Sequence, residues 1–203
     1  MEDFIKFVQQ QCYEKGIWFF LCKGDHVNLG STKCNGFFDA RLATLAVACG
    51  KDPAIWHQTL VHEYGHMTQW AEQCSVWNLS QINNMADSEL LIDLWLAHEI
   101  ELNQEQLDKH IFRARAIEVD CENRTLKLIE EHNLPINKND YAKRANAYMY
   151  FWTAMKKLRK WYRIGKEPYI QKNILELMPT VMKTNEEYDN IPDDIFELMK
   201  DCV

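Results

Sequence analysis

Hydrophobic and polar positions alternate with two different periods along the chain. Residues 3–15 carry Phe4, Phe7 and Val8 at three-and-four spacing, which predicts a short helix. Short apolar runs bounded by turn residues follow up to about Cys49 and predict a small sheet. We expect the first run to be a buried strand and the last to be an edge strand that can pair with an extended peptide. The predicted strands cover 17–21, 26–29, 36–38 and 42–48.

Helical periodicity dominates after this sheet. Asp52 fits an N-cap and Pro53 the first helical position, so a helix is predicted from there to about Glu72. The polar stretch 73–84 is predicted to be irregular, with a turn at Asn83-Asn84. Asp87 or Ser88 is expected to cap an apolar helix that covers 89–102. Further helices are predicted at 105–132, 140–162, 170–178 and 193–201.

This order of elements predicts the α+β fold class, with a small N-terminal sheet and a helical majority. We divide the chain into a core of residues 1–134 and a helical extension of residues 135–203. The connection after Pro135 is only a few residues long, too short for a free linker. The extension is therefore expected to pack on the core.

Composition narrows the classes of protein that fit. The net charge of −7 argues against a protein that coats nucleic acid or an anionic membrane. No run approaches the roughly 18 apolar residues of a membrane span. The seven cysteines lack paired spacing, and the acidic start of the chain resembles no signal peptide. We therefore expect a cytoplasmic protein with reduced thiols.

The strongest chemical signal is His62-Glu63-Tyr64-Gly65-His66, within the helix predicted to start at Pro53. Residues four apart lie one turn above each other, so both imidazoles can converge on one Zn²⁺ ion. Glu63 can then take a proton from a metal-activated water and act as the catalytic base. The alternative is an amphipathic helix with two incidental histidines.

A catalytic zinc normally has three protein ligands, and no histidine follows at positions 69 or 72, which are Gln69 and Glu72. Glu118 is the better third ligand, because it lies on the apolar face of its predicted helix and a buried carboxylate needs a cation. Asp120 falls on the charged face instead. The apolar stripe consists of Ile111, Ala114, Glu118, Cys121, Thr125 and Leu128.

Glu122 lies one turn beyond Glu118 and is a candidate to orient a ligating imidazole by accepting its far N–H. The alternative is an ordinary surface charge that pairs with Arg115 or Arg124. Cysteine ligands are not expected, because the chain has no C-x-x-C pair.

The two motifs together resemble the gluzincin metallopeptidases. The match consists of His62-Glu63-Tyr64-Gly65-His66 and the helical Glu118-Val119-Asp120-Cys121-Glu122. The compact order of helix, small sheet, active-site helix and ligand helix is closest to the ImmA/IrrE type, and the texture of the chain is similar to phage-encoded metallopeptidase-like proteins. The resemblance covers roughly residues 1–132 and implies a zincin-like core, bound zinc and hydrolysis of peptide bonds. Glu122 departs from the Asp or Asn that the family usually has, and no helix-turn-helix module accompanies the motifs.

A zincin also needs a donor for the oxyanion that forms during attack, and His98, His110 and Tyr148 are candidates. Each is individually more typical of a packed or surface residue. The 148–163 segment mixes aromatic and basic residues, a pattern that can bind nucleic acid. With a net charge of −7, we prefer one buried aromatic face and one solvated basic face.

Two functions remain open at this stage. The first is a zinc endopeptidase that acts on a protein or peptide substrate. The second is a zincin scaffold that keeps its zinc but works as a regulatory or nucleic-acid-associated binding module. Glu63 favours the enzyme, because a purely structural zinc site has no use for that carboxylate.

Overall fold

The computed structural model describes residues 1–30, 32–82 and 86–203. Within these ranges the chain has eight α-helices and several short strands, which confirms the α+β class. Two short 3₁₀ turns lie at Pro168–Ile170 and Glu186–Asp189. The helices are α1 (Glu2–Glu14), α2 (Pro53–Glu72), α3 (Ser75–Ser80), α4 (Ser88–Leu96), α5 (Gln104–Glu131), α6 (Lys138–Leu158), α7 (Lys172–Leu177) and α8 (Asp193–Lys200).

The strands form one three-stranded sheet and two small hairpins. In the sheet, β5 lies in the centre, parallel to β1 and antiparallel to β4. The prediction that 42–48 forms an edge strand is therefore wrong. The strands are β1 (Trp18–Cys22), β2 (Val27–Leu29), β3 (Thr32–Cys34), β4 (Gly36–Asp39), β5 (Thr44–Ala48), β6 (Gln81–Ile82) and β7 (Ala86–Asp87).

Strand β1 is an edge strand with one covered face. Trp18 is 68% exposed and Phe20 47% exposed, and their rings stack with centroids 6.5 Å apart. The predicted burial of 17–21 holds for Ile17 but is wrong for Trp18 and Phe20, because successive residues of a strand point to opposite faces. An apolar run this short does not reveal that only one of those faces is covered.

The described residues form two compact units. Unit 1 consists of Met1–Cys74 and Asn123–Lys138, and unit 2 of Ser75–Glu122 and Asn139–Val203. Helix α5 contributes residues to both units. Each compact unit consists of two separate stretches of the chain. The division into a 1–134 core and a 135–203 extension stays a prediction.

Unit 1 packs α1 and α2 with the three-stranded sheet. Helix α2 begins as predicted, since the Asp52 side chain accepts a hydrogen bond of 2.7 Å from the backbone N–H of Ala54. Phe4 of α1 packs edge-on against Tyr64 of α2 and against His132, with ring centroids 5.9 and 5.0 Å apart. This aromatic cluster fixes the helix that carries His62 and His66 within its unit.

Gly36 of β4 lets helix α2 lie very close to the sheet. A Cβ atom at this position would lie 2.7 Å from the methyl carbon of Thr59, 3.0 Å from the carbonyl oxygen of Ala46 and 3.1 Å from Cγ of Glu63. A Cβ atom fits here only if the Thr59 side chain shifts and the backbone at Ala46 gives way slightly.

Gly36→Ala is therefore expected to lower the free energy of unfolding by about 1–3 kcal/mol, the usual cost of overpacking. Denaturant unfolding of the full chain measures the difference. Gly24→Ala is a matched control, because its new methyl group would meet only the carbonyl oxygen of His26 at 3.5 Å. Equal stability of the two variants would contradict the close approach of α2 at Gly36.

Unit 2 is built around α6. Its aromatic residues Tyr150, Phe151 and Trp152 are buried in one core with residues of α4, the first part of α5, α7 and α8. The C-terminal helices therefore share a core with residues that precede Leu134. No helix in the described ranges is both long and apolar enough to cross a membrane.

Arg115 of α5 anchors the C-terminal part of unit 2. Its guanidinium is 0% exposed and donates hydrogen bonds to the side chain and carbonyl oxygen of Asn185, to Thr153 Oγ1 and to Asp189 Oδ1, at 2.6–2.8 Å. A buried cation is tolerated only with such a set of partners.

Several helices differ in extent from the predictions. Helix α4 ends at Leu96 because His98 takes left-handed backbone with φ of 59°, and the N–H of Glu99 bonds to the carbonyl oxygen of Leu94. Helix α6 ends at Leu158 in a similar way, with Arg159 at φ of 50°. Helix α3 lies in the stretch predicted to be irregular, and the predicted turn at Asn83-Asn84 lies outside the described residues.

Candidate metal centre

The two histidines of the motif converge on α2. Nε2 of His62 and Nε2 of His66 lie 3.1 Å apart, and the rings are nearly perpendicular. Both side chains are partly buried. The one-turn spacing therefore brings two nitrogen donors together, as the sequence predicted.

This separation agrees with two ligands of one metal ion. Two nitrogens that are each about 2.0–2.1 Å from a tetrahedral Zn²⁺ lie roughly 3.3 Å from each other. The same separation suits a direct N–H···N hydrogen bond when one ring carries its proton on Nε2. The imidazole pair alone does not choose between these two arrangements.

Buried carboxylates complete a donor set. Glu118 is 7% exposed and Glu122 5% exposed, so the predicted inward position of Glu118 is confirmed. The ligand atoms of His62, Glu118 and Glu122 all lie within 4.8 Å of one another, and so do those of His62, His66 and Cys121. The predicted trio is thus spread over two groups that share His62. Together, the histidines and carboxylates could hold a metal ion.

Glu122 also has a defined partner in unit 2. The buried hydroxyl of Tyr141 donates a hydrogen bond of 2.6 Å to Glu122 Oε2. The alternative of an ordinary surface charge does not hold, because the side chain is buried. Its role in orienting an imidazole stays a prediction.

Sequence reasoning missed Cys121 as a donor. Its sulfur belongs to one of the two groups, and the residue is 0% exposed. The spacing could have predicted this position, because Cys121 lies three residues after Glu118 on the same face of α5. Cys121 is not part of a C-x-x-C pair, so the cysteine spacing by itself did not indicate a ligand.

Glu63 lies beside the sheet of unit 1. Its Cγ approaches Gly36 of β4, and the carboxylate is near the thiol of Cys34. Burial raises the pKa of Cys34, and the negative charge of Glu63 raises it further. Glu63 belongs to neither of the two metal-ligand groups.

The three candidate oxyanion donors lie in different surroundings. Tyr148 of α6 is partly buried, and burial together with the charge of Glu118 raises the pKa of its phenol well above the ordinary value. Its hydroxyl therefore keeps its proton and can donate. His110 lies about 12 Å from Glu118 along α5, by the rise of 1.5 Å per residue. His98 is exposed after the end of α4.

The pKa of His110 is lowered by burial and by the positive charges of Arg113 and Lys109, and its Nδ1 lies 3.4 Å from Ser88 Oγ. His98 lines an open cleft of about 650 Å³ together with Arg159 and Trp161. Of the three candidates, Tyr148 is the one whose pKa is affected by the charge of Glu118.

Lys156 and Arg159 of the 148–163 segment have acidic partners within unit 2. Lys156 pairs with Asp108 at 2.9 Å, and Arg159 pairs with Glu101 at 2.9 Å. The aromatic residues of α6 are buried on the other side. This arrangement agrees with the preferred interpretation of a buried aromatic face and a basic outer face, and nucleic-acid binding stays the untested alternative.

Comparisons of the chain with protein-family models, with curated proteins and with solved structures find no match. The resemblance to the gluzincins therefore rests on the motif residues alone.

Proposed function

We propose that the chain is a zinc-dependent hydrolase of the gluzincin type, most directly an endopeptidase. The observation that carries this proposal is the 3.1 Å approach of two imidazole nitrogens, one of which also lies within 4.8 Å of two buried carboxylates. Two imidazoles and one carboxylate form the donor set of catalytic zinc sites that leave one position open.

In this proposal, His62, His66 and Glu118 hold the metal. When bound, zinc supplies Lewis acidity, which lowers the pKa of a water molecule and polarises a carbonyl group. Glu63 accepts the proton of that water and later passes it to the leaving amine. Tyr148 would donate a hydrogen bond from its phenolic O–H to the oxyanion, because its raised pKa keeps it protonated.

The substrate would lie along β4, the strand whose Gly36 contacts Glu63. Strand β4 takes the place of the 42–48 strand as the proposed peptide-binding edge, because the 42–48 strand is central in the sheet and already paired on both sides. An extended peptide in this position brings its carbonyl carbon towards the base without changing the fold of the sheet.

A binding module that keeps its zinc without hydrolysis is the second candidate. Cys121 favours it, because a thiolate that joins two imidazoles and a carboxylate gives the closed, four-ligand set typical of structural zinc. The two candidates therefore differ in whether Cys121 is a ligand.

Metal analysis of variants tests the ligand assignment. The full chain should bind one zinc ion, and His62→Ala and Glu118→Ala should retain little of it. Cys121→Ala should keep its zinc, since the hydrolase needs an open position. Glu122→Ala should weaken binding by about 10–100-fold, the usual effect of a group that supports the ligands.

Two results would contradict the assignment. Full occupancy in Glu118→Ala means that another residue is the third ligand. Loss of zinc from Cys121→Ala means that the site is closed by sulfur, which favours the binding module.

A further inference from the structure

Gln69 contacts the far side of the His66 ring. It lies three residues after His66 on α2, and its side chain is 0% exposed. Its Oε1 atom is 2.8 Å from Nδ1 of His66, while Nε2 of the same ring faces His62. The two ring nitrogens of His66 therefore have different partners.

An amide oxygen only accepts hydrogen bonds. At 2.8 Å from Gln69 Oε1, Nδ1 of His66 must be the nitrogen that carries the proton. A neutral imidazole has one N–H, so Nε2 is left with a free electron pair directed towards Nε2 of His62. That is the tautomer a metal-binding Nε2 requires.

We propose that Gln69 is a positioning residue that fixes His66 in the Nδ1–H tautomer and so prepares its Nε2 to bind the metal. This inference rests on the proposed function of the site. An uncharged amide suits the role, because it orients the ring without adding a further buried charge.

The other glutamines of the same region have a different use. The amide nitrogen of Gln58 donates to the carbonyl oxygen of Ala54, and that of Gln73 donates to the carbonyl oxygen of Trp70. Both bonds are local contacts with the backbone of α2 or its end. Gln69 differs from them because its oxygen contacts an imidazole of the metal motif.

The tautomer can be measured without any metal. In the metal-free full chain with ¹⁵N-labelled histidine, long-range ¹H–¹⁵N spectra at a pH where the rings are neutral distinguish a protonated Nδ1 from a protonated Nε2. The His66 signals are assigned by their absence from His66→Gln. Wild type should show the Nδ1–H form. Gln69→Leu should shift His66 towards Nε2–H, whereas Gln69→Glu should retain Nδ1–H. Gln58→Leu is the matched control and should resemble wild type.

Zinc titration in competition with a chromogenic chelator gives the second measurement. Gln69→Leu should bind zinc about 10–100-fold more weakly than wild type, the usual effect of losing an imidazole's outer partner. Gln69→Glu should bind at least as tightly as wild type, since a carboxylate accepts the same hydrogen bond. A purely structural role of Gln69 would change the stability of Gln69→Leu but would leave its His66 tautomer and its zinc affinity at the wild-type values.

The inference is overturned if wild type shows His66 with a protonated Nε2, or if Gln69→Leu keeps both the tautomer and the zinc affinity. If Gln69→Leu fails to fold, the wild-type and Gln69→Glu spectra decide, and Nε2–H in either one overturns the inference. A wild-type protein with the Nδ1–H tautomer that binds no zinc would refute the proposed function instead. The control of His66 by Gln69 would still stand.

Discussion

Glu63→Gln should reduce peptide hydrolysis by about 10²–10⁴-fold, the usual contribution of a general base. The amide keeps the size of the side chain but cannot accept the proton of the attacking water. Zinc content should stay at the wild-type level, because Glu63 belongs to neither group of metal-ligand atoms. Cleavage of a peptide library, followed by mass spectrometry, and metal analysis of the same samples provide the two measurements.

Glu72→Gln is the matched control for this experiment. Glu72 is the last residue of α2, and its exposed carboxylate pairs with Arg124 at 2.7 Å. Its loss should leave both zinc content and hydrolysis unchanged. Wild-type activity in Glu63→Gln would refute the proposed mechanism. A wild-type protein that binds zinc but cleaves no member of the library would favour the binding module.

A chain that ends at Leu134 should not fold cooperatively. In unit 2, six buried apolar residues of α4 and α5 share a core with the C-terminal helices, and burial of each one larger than alanine contributes roughly 1.5–3 kcal/mol. Their combined loss rivals the whole stability of a domain, about 5–15 kcal/mol. Arg115 would also lose Thr153, Asn185 and Asp189. The six residues are Ile92, Trp95, Leu107, Ile111, Ala114 and Val119.

Solubility and thermal unfolding of the 1–134 fragment measure this effect. Co-expression of 135–203 as a separate polypeptide is the control, and it should restore a soluble complex if the missing helices are the cause. A monomeric 1–134 fragment that is soluble, zinc-loaded and unfolds cooperatively would show that residues 135–203 are an independent module. Salt-dependent binding of DNA or RNA by 135–203 would then be the measurement to make.

Local signals in the sequence were enough to predict the helices whose ends are marked by capping residues. Asp52 and Pro53 mark the start of α2 by chemistry that acts within one turn. The inward face of α5, and with it the burial of Glu118, followed from periodicity alone. The convergence of His62 and His66 required only the one-turn spacing.

What could not be predicted depends on neighbours that are distant in sequence. The apolar run of β1 does not reveal that Trp18 faces outward at a sheet edge. The central place of β5 depends on pairing with strands on both sides. The end of α4 depends on left-handed backbone at His98, a conformation that is uncommon for any residue other than glycine, although histidine adopts it more often than most.

Two residues of the candidate site were missed for a different reason. Gln69 was considered only as the position where a third histidine was lacking, although its three-residue spacing from His66 places it within reach of the ring. Cys121 was assigned to the apolar stripe of α5, because a thiol and an aliphatic side chain give the same pattern. Spacing relative to the known donors identifies both.

The hydrogen bonds of Arg115 also determine how late unit 2 can close while the chain is being synthesised. Its partners Thr153, Asn185 and Asp189 follow it by 38, 70 and 74 residues. At about 5–20 residues per second, a ribosome needs roughly 4–15 s to add the last of them. During that interval α5 emerges with a guanidinium that has no anion and with an apolar face that has no cover. Unit 2 therefore closes only after Asp189 has been synthesised, and until then its first half exposes apolar surface of the kind that chaperones bind.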